Sequence, residues 1–303
     1  MTHLILLDVS SLMYRAHFAL GDGVRSPGGR PVGAIHGCLD MVARLVLARR
    51  PERIVHVYDH EWRPTARTEL YPAYKANRPP DPEGLPEQFS MLRQLLDLTE
   101  MEQAMTRGWE AEDAIGAICA AAGPQDRFEI VSGDRDLIQL VRDPFVRLLY
   151  TVRGVSDLLE LDEAGVLERY GVPASRYAEL AILRGDPSDS LPGVPGVGEK
   201  TARALVEAYG SLEELLTDAE AEEPRPGPLA SKPALRARLR AARGYLETMR
   251  RLVPVNASAP VDRWRGERDD AGLRELADEL GVRGPVTRLR AALDSVAEGS
   301  GAS

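Results

Sequence analysis

The sequence predicts an α/β fold in which helices flank a mostly parallel central sheet. Short apolar runs of strand length alternate along the chain with longer segments whose apolar residues recur at helical spacing. Such alternation is typical of strand–helix–strand units, which place parallel strands in one sheet. A further observation points to one edge of that sheet, because acidic side chains follow directly after several of the apolar runs.

Four apolar runs are predicted to be strands. They lie at residues 4–7, 54–58, 128–131 and 146–151. The first run is too short to span a bilayer and has no cationic leader or small-residue cleavage site before or after it. We therefore interpret it as a buried strand and expect no membrane role.

The intervals between the strands are predicted to be helical. The periodic segments are residues 10–20, 32–49, 85–98, 110–122, 164–170, 177–183 and 200–209, with further helices to about residue 296. Ser211 and Glu214 form a capping-box pattern for the next helix. The proline-rich stretch at residues 218–233 is predicted to be a loop.

The domain organisation follows from this pattern. We expect an α/β core over residues 1–165, interrupted by a proline-rich and basic excursion at about residues 62–86. A helical lobe is expected over residues 166–260 and C-terminal helices over residues 261–296. Residues 297–303, which are small and polar, are predicted to be a disordered tail.

The net charge of −9 argues at first against a nucleic acid partner, because such binders are usually basic. Subtracting nine candidate metal ligands from the 47 acidic residues leaves 38, equal to the 38 lysines and arginines. With the remaining charge balanced, binding to a nucleic acid depends on local patches of basic residues. Cys38 and Cys119 lack the spacing of a zinc site or a disulfide framework, which favours core thiols in a reducing cytoplasm.

The acidic side chains at the ends of strands, or at the start of a helix, indicate a metal site. They are Asp8, Asp59, Glu110, Glu112, Asp113, Asp134, Asp136, Asp186 and Asp189. In an open parallel sheet, ligands bind outside the carboxyl ends of the strands, so we expect these side chains to converge. Carboxylates a few Å apart raise one another's pKa, and hard cations such as Mg²⁺ or Mn²⁺ relieve that repulsion.

Several of these acidic groups also have a purely structural explanation. Acidic residues in the first turn of a helix favour its dipole, and Asp113 could simply cap its helix. Gly-Asp-Arg-Asp at residues 133–136 is good turn chemistry. For Asp134 and Asp136, the shared sheet edge favours metal binding over a turn. Asp186 and Asp189 could form an Asp-Pro turn and a helix cap, and only the surrounding glycine motif favours metal binding there.

Six segments of the chain occur in the order of a known motif series. They are Leu7-Asp8-Val9-Ser10, Tyr58-Asp59, Tyr74-Lys75-Ala76-Asn77-Arg78, Glu110-Ala111-Glu112-Asp113, Gly133-Asp134-Arg135-Asp136-Leu137 and the glycine-rich stretch at residues 185–202. This series resembles the 5′-nuclease family, which includes the exonuclease domain of bacterial DNA polymerase I, phage 5′-nucleases and flap endonucleases. The resemblance covers roughly residues 4–255.

The resemblance implies a PIN-like 5′-nuclease fold with a helical arch at about residues 62–86 and a helix-hairpin-helix (H3TH) motif at about residues 180–209. It also implies two Mg²⁺ or Mn²⁺ ions. One would be bound by Asp8, Asp59, Glu110, Glu112 and Asp134, and the other by Asp136, Asp186 and Asp189, with Asp113 nearby. Lys75 and Arg78 would be the catalytic cations.

The same resemblance implies a DNA substrate with a 5′ flap, a nick or a 5′ end, or an RNA primer paired with DNA. The expected DNA contacts are Arg15, Arg25, Arg67, Tyr74, Lys75, Arg78, Gly193, Gly196, Gly198, Lys200 and Thr201. A K⁺ ion at the hairpin is a further implied ligand. The 303 residues include no polymerase or proofreading domain, so we expect a free-standing monomeric 5′-nuclease that works with a separate polymerase.

Three departures from the family pattern leave alternatives open. Val9, Glu112 and Ser190 stand where the bacterial polymerase members often have glycine, aspartate and asparagine. A DNA-binding protein that marks branched junctions without cutting them is one alternative. An RNA-directed nuclease of the related PIN-like fold is another, although the hairpin motif argues against it.

Overall fold

A mixed seven-stranded sheet forms the centre of the molecule in a computed structural model, which describes residues 2–61 and 63–300, with side chains to residue 297. The strands are β1 (Thr2–Asp8), β2 (Arg53–Tyr58), β3 (Glu102–Met105), β4 (Asp126–Ser132), β5 (Val146–Thr151), β6 (Leu158–Leu161) and β7 (Asp262–Arg265). Their order is β6-β5-β4-β1-β2-β3-β7. The five central strands are parallel, and β6 and β7 pair antiparallel at the two edges.

Helices cover both faces of the sheet. They are α1 (Val9–Leu20), α2 (Gly33–Arg49), α3 (Thr65–Leu70), α4 (Leu85–Asp97), α5 (Ala111–Ala120), α6 (Glu163–Tyr170), α7 (Tyr177–Arg184), α8 (Glu199–Ala208), α9 (Leu212–Glu220), α10 (Pro233–Ala241), α11 (Arg243–Leu252), α12 (Asp270–Leu280) and α13 (Arg283–Ser300). None of the helices within the described ranges is long and apolar enough to cross a membrane.

Alternate side chains of β1 enter two separate hydrophobic cores. Leu4 and Leu6 pack with α5 and with the helical lobe formed by α6–α11. Ile5 and Leu7 pack on the opposite face with α1, α2, α4, α12 and α13. The period of two residues in a strand explains this division, since successive side chains point to opposite faces of the sheet.

The predicted strands and helices are present, with shifts of one to three residues at most ends. Three short strands were not predicted. The sequences of β3 (Glu-Gln-Ala-Met) and β7 (Asp-Arg-Trp-Arg) are too polar to give an apolar run, and β6 has only four residues. Their pairing with longer strands, not their own pattern, explains their conformation.

Three predicted irregular segments have more structure than expected. The segment at residues 62–86 contains the short helix α3 and a series of turns, although Trp62 itself lies outside the described residues. Helix α9 extends to Glu220, into the predicted loop at 218–233. Helix α13 continues to Ser300, past the predicted start of the tail at residue 297, and residues 301–303 lie outside the described part.

The chain leaves the helical lobe through a tight contact with α5. Val255 packs against Gly116 so closely that a β-carbon at Gly116 would lie well inside van der Waals contact with Val255 Cγ1. The backbone N–H of Val255 donates to Gln139 Oε1 at 2.9 Å, and that of Asn256 donates to Asp113 Oδ1 at 2.8 Å. Residues 252–256, the lobe exit segment, are therefore fixed against the start of α5.

The close approach at Gly116 gives a first prediction. Gly116→Ala should destabilise the protein by about 1–3 kcal/mol, because the new methyl group overpacks the contact with Val255. The measurement is the free energy of unfolding in urea. Gly244→Ala is the matched control, since Gly244 lies in α11 with open space around it, and this change should be neutral or stabilise by up to about 1 kcal/mol. Equal effects of the two changes would contradict the proposed contact.

Candidate metal centre

The acidic residues predicted to converge lie at one edge of the sheet. Asp8 is the last residue of β1, Asp59 follows β2, and Asp134 and Asp136 follow β4. Because β1 pairs in parallel with both β2 and β4, the three strand ends meet. Eight of the nine predicted acidic ligands, all but Asp113, line one cavity of about 1480 Å³.

Three of these carboxylates are close enough to share one cation. Oxygens of Glu112, Asp134 and Asp136 lie within 4.8 Å of one another. Glu112 comes from the first turn of α5, and the other two come from the turn after β4. An all-carboxylate set of this kind is the donor chemistry of Mg²⁺ or Mn²⁺, so the residues present fit a divalent ion.

Serine residues orient two of the other acids. Ser132 Oγ donates to Asp8 Oδ2 at 2.5 Å, and the Ser11 N–H donates to Asp8 Oδ1 at 3.0 Å as an N-cap of α1. Ser10 Oγ donates to Asp59 Oδ2 at 2.5 Å. Sequence analysis did not identify Ser10 and Ser132 as site residues, and only their positions beside the strand ends could have suggested them.

Asp186 and Asp189 reach the cavity from the loop after α7. The loop closes tightly, since the Asp186 N–H donates to the Leu191 carbonyl at 2.9 Å, and a β-carbon at Gly185 would lie 2.6 Å from that oxygen. Ser188 N–H and Oγ both donate to Asp186 Oδ1. Ser190, one of the three family departures, adopts a left-handed conformation with φ of 60° just after Asp189.

Burial and mutual repulsion raise the pKa values of several acids in the cavity. Burial, assisted by the neighbouring charge of Asp59, raises the pKa of Asp8 to about 7. Burial and nearby carboxylates also raise the pKa values of Glu112 and Asp136, which lie well above the ordinary range. The pKa of Asp134 is raised mainly by burial. The cluster therefore favours any positive charge that enters it.

Glu110 is the exception because two cations contact it. Burial opposes ionisation, but Lys75 and Arg67 outweigh it and lower the pKa of Glu110. Lys75 Nζ donates to Glu110 Oε1, and Lys75 is only 5% exposed. The Tyr74 hydroxyl lies 2.8 Å from Glu110 Oε2 and 3.2 Å from Asp189 Oδ2.

Both expected catalytic cations lie in the cavity lining. Arg78 Nη2 donates to Asp189 Oδ1 at 2.9 Å, and Lys75 Nζ lies 3.9 Å from the same oxygen. Burial opposes protonation of Lys75, but Glu110 and Asp189 outweigh it and raise its pKa, so the ammonium stays charged. The segment at residues 62–86 thus brings two cations to the acidic cluster.

The structure places Arg67 and Asp113 differently from expectation. Arg67 was expected to contact DNA, but its side chain is 2% exposed and donates to Glu110, Glu112 and Asp113. Asp113 was expected near the metals, yet it is fully buried beneath the cavity. The physical reason is mutual: a desolvated guanidinium requires carboxylate partners, and a desolvated carboxylate requires donors.

The remaining expected DNA contacts fall in three places. Arg15 lines the cavity and donates to the carbonyls of Thr151 and Val152, which fixes the end of β5. Arg25 lies in the loop between α1 and α2 and donates to the Gly29 carbonyl. The others lie in the hairpin between α7 and α8. They are Gly193, Gly196, Gly198, Lys200 and Thr201.

The hairpin presents the start of α8 to solvent. Gly193 and Gly196 adopt φ values of 69° and 72°, a backbone region that favours glycine. Gly198 caps α8, and Lys200 is exposed in its first turn. Within the described residues, no hydrogen bond or ion pair engages the Lys200 ammonium, so it is available to a ligand.

Comparison with known proteins identifies the family. The N-terminal resolvase-like domain of 5′-3′ exonucleases matches residues 3–171, and their C-terminal SAM fold matches residues 172–270. A protein called 5′-3′ exonuclease from Streptomyces coelicolor is 43% identical, over 94% of this chain and 98% of that protein. The chain belongs to the 5′-3′ exonuclease family. The resemblance predicted from the motif series is therefore confirmed.

A second relative agrees with this assignment, and two solved structures share the fold. A 5′-3′ exonuclease from Mycobacterium tuberculosis is 40% identical over 97% of this chain and 98% of that protein. A bacteriophage T5 D15 flap endonuclease, solved with DNA and metal ions, has a TM-score of 0.66 at 19% identity over 98% of both chains. Flap endonuclease-1 from Methanococcus jannaschii has a TM-score of 0.58 at 16% identity, over 96% of this chain and 93% of that one. These likenesses confirm the predicted fold class.

The raised pKa values give a prediction for the metal-free protein. Folded Asp8 retains its proton to about pH 7, whereas its pKa in the unfolded chain is near 3.8. The folded state then binds more protons, so stability should fall as pH rises from about 6.5 to about 8. The measurement is the midpoint of thermal unfolding in a chelator. Burial lowers the pKa of His56 to about 4, so the titration of His56 changes the stability only below this pH interval.

A variant that lacks one of the repelling carboxylates provides the comparison for this dependence on pH. Asp136→Asn should raise the metal-free melting temperature near pH 8 and flatten its dependence on pH, because fewer charges repel one another. Added Mn²⁺ should stabilise the unmodified protein more than the variant. A metal-free melting temperature that stays constant or rises over this pH interval would show that the acids do not repel one another in the folded state.

Proposed function

We propose that this chain is a structure-specific 5′-nuclease that hydrolyses phosphodiester bonds near the 5′ end of a flap or a nicked duplex by two-metal catalysis. The observation that carries the proposal is the single cavity in which eight carboxylates from separate strands and loops face two cations, Lys75 and Arg78. Its products would have 5′-phosphate and 3′-hydroxyl ends. Removal of RNA primers and flaps in replication and repair is the corresponding role.

The carboxylates divide into two candidate ligand groups. Glu112, Asp134 and Asp136 would hold one divalent ion, on the evidence of their short mutual distances, which moves Asp136 out of the second group that the resemblance implied. Asp186 and Asp189, whose charges also act on Asp136, would hold the second. Asp8, Asp59 and Glu110 complete the acidic wall of the cavity. Bound Mg²⁺ or Mn²⁺ would activate a water molecule and stabilise charge on the attacking and leaving oxygens.

Lys75 and Arg78 would bind and orient the reacting phosphate. Both side chains lie in the cavity lining, and both are held by carboxylates that fix the position of the cationic groups. A phosphate oxygen could accept hydrogen bonds from the ammonium and the guanidinium, which oppose the negative charge that develops in the transition state. The residues at 62–86 would therefore form the arch that receives the 5′ strand.

The hairpin would grip duplex DNA away from the cut. Backbone N–H groups at the start of α8 and the exposed Lys200 can bind a phosphate, and contacts of this kind carry no base sequence. We keep a K⁺ ion at the hairpin carbonyls as part of the proposal. Arg238 Nη1 donates to the Pro195 carbonyl at 3.1 Å, so a K⁺ ion on that oxygen would lie close to a positive guanidinium, which favours the other carbonyls of the hairpin.

The proposed partners follow from the family. The chain would act as a monomer on DNA with a 5′ flap, a nick or an RNA primer, and would work with a separate DNA polymerase. Nearly the whole chain, 94% of it, is 32% identical to a region that makes up 32% of DNA polymerase I of Thermus thermophilus. A cytoplasmic location agrees with two buried, free cysteines.

Cleavage of a labelled 5′-flap substrate tests the proposed function. The protein should cut the flap with Mn²⁺ or Mg²⁺, and Asp136→Asn or Asp186→Asn should lower kcat by at least about 100-fold, because each removes a charge that holds the catalytic ions. Product mapping on flap, nicked and blunt substrates would show where the bond breaks. Asp262→Asn, at an exposed ion pair on β7, is the matched control and should cut normally.

Three outcomes would count against this function. Cleavage that survives in both cavity variants would remove the metal centre from the reaction. A flap bound with nanomolar affinity but never cut under any divalent ion would favour the non-catalytic junction-binding protein. Cutting of single-stranded RNA without a duplex would favour the RNA-directed nuclease.

The hairpin makes a separate prediction about duplex affinity. Lys200→Ala should weaken binding of nicked duplex DNA and reduce the slope of log affinity against log salt by about 0.9, the value for one lost phosphate contact. The measurement is fluorescence anisotropy in Ca²⁺ over a series of salt concentrations. Lys232→Ala, at an exposed lysine just before α10, is the control. An unchanged slope in Lys200→Ala would exclude Lys200 from the DNA interface.

A further inference from the structure

The Arg67 guanidinium uses all of its donors on buried partners. Nη1 donates to Asp113 Oδ2 at 2.8 Å and to Glu110 Oε2, while Nη2 donates to Asp113 Oδ1 at 3.1 Å and to Glu112 Oε1. Nε donates to the Leu252 carbonyl at 3.2 Å. Arginine has five N–H donors, and these five hydrogen bonds engage each of them. No donor is left for a phosphate.

The Asp113 carboxylate likewise uses all of its capacity to accept hydrogen bonds. Besides the two bonds from Arg67, Asp113 Oδ1 accepts from the Asn256 N–H at 2.8 Å, and Oδ2 accepts from the Glu110 N–H at 3.3 Å. A carboxylate offers about four lone-pair sites, so both oxygens are fully used. The side chain is also completely buried. Asp113 therefore has no oxygen to give to a metal ion.

Arg67 connects three parts of the molecule at one point. Its own helix, α3, belongs to the proposed arch. Glu110 and Glu112, at the start of α5, belong to the acidic cavity. Leu252, the last residue of α11, belongs to the lobe exit segment. Hydrogen bonds to one side chain thus join the proposed arch, the wall of the acidic cavity and the end of the lobe.

We propose that Arg67 is a positioning residue of the metal centre, with Asp113 as its anchor. This inference rests on the proposed function and assigns roles within that site. The bidentate pair with Asp113 fixes the guanidinium, which in turn fixes one oxygen each of Glu110 and Glu112. Arg67 would not touch the DNA, and Asp113 would not bind a metal.

The shape of the guanidinium, not its charge alone, is the property that matters. A lysine at position 67 would keep the positive charge but would lose the planar fork that contacts three carboxylates at once. If Arg67 only neutralised the acids, Arg67→Lys would leave metal binding unchanged. If Arg67 positions the ligands, Arg67→Lys would weaken metal binding.

Titration of the metal-free protein with Mn²⁺, without DNA, tests the proposal by calorimetry. Arg67→Lys should lower Mn²⁺ affinity by about 10- to 100-fold, the usual effect of losing a group that orients metal ligands. In flap cleavage, kcat should fall while KM for DNA stays unchanged. Arg63→Lys is the matched control, because Arg63 lies in the same segment and donates to the Tyr74 and Pro72 carbonyls. It should bind Mn²⁺ normally.

Asp113→Asn keeps the test decisive if Arg67→Lys does not fold, as judged by circular dichroism. It should also lower Mn²⁺ affinity, by no more than Arg67→Lys does. Where Arg67→Lys folds, the double variant should show no additional loss, because the two residues act as one unit. Normal Mn²⁺ affinity in a folded Arg67→Lys or Asp113→Asn protein, additive losses, or an equal loss in Arg63→Lys would overturn the proposal. Mn²⁺ binding without flap cleavage by the unmodified protein would instead refute the proposed function alone.

Discussion

The arrangement depends on the electrostatic repulsion among carboxylates that the sheet brings together. Strand pairing fixes the ends of β1, β2 and β4 side by side, and each end carries acids. Folding therefore creates a concentration of negative charge that burial makes more unfavourable, as the raised pKa values of Asp8, Glu112 and Asp136 show. A fold that retains such an unfavourable cluster has a site that attracts cations strongly.

Positive side chains of the chain itself offset part of this repulsion. Lys75 and Arg67 contact Glu110, and Arg78 contacts Asp189. All three come from the proline-rich segment between β2 and α4. The prolines of this segment interrupt regular structure, and the ion pairs hold its turns against the carboxylates. Its order and the charge of the cavity are consequently two aspects of the same interaction.

Sequence alone predicted the parts of this site that depend on periodicity and order. Asp8 and Asp59 were placed correctly because apolar strands precede them, and the parallel sheet then brought them together. The sequence pattern could not show how deeply a side chain is buried. Arg67 and Lys75 occur in one basic segment, yet one is enclosed beneath the acids and the other faces the cavity. Strand β3 was not predicted because two of its three buried residues, Glu102 and Gln103, are polar.

After the helical lobe, the chain returns to the central sheet, and this return affects how the molecule folds. Strand β7 completes the sheet edge beside β3, and α12 and α13 cover the face that already holds α1 and α2. Leu273, Leu280 and Leu289 thus belong to the core that begins at Ile5. Strand β7, from the second region recognised by the family comparison, pairs with β3 from the first, so the two regions share one sheet. A chain that ends before residue 270 lacks α12 and α13 and would expose to water the part of this core that they cover, so the core is complete only once both helices have been made.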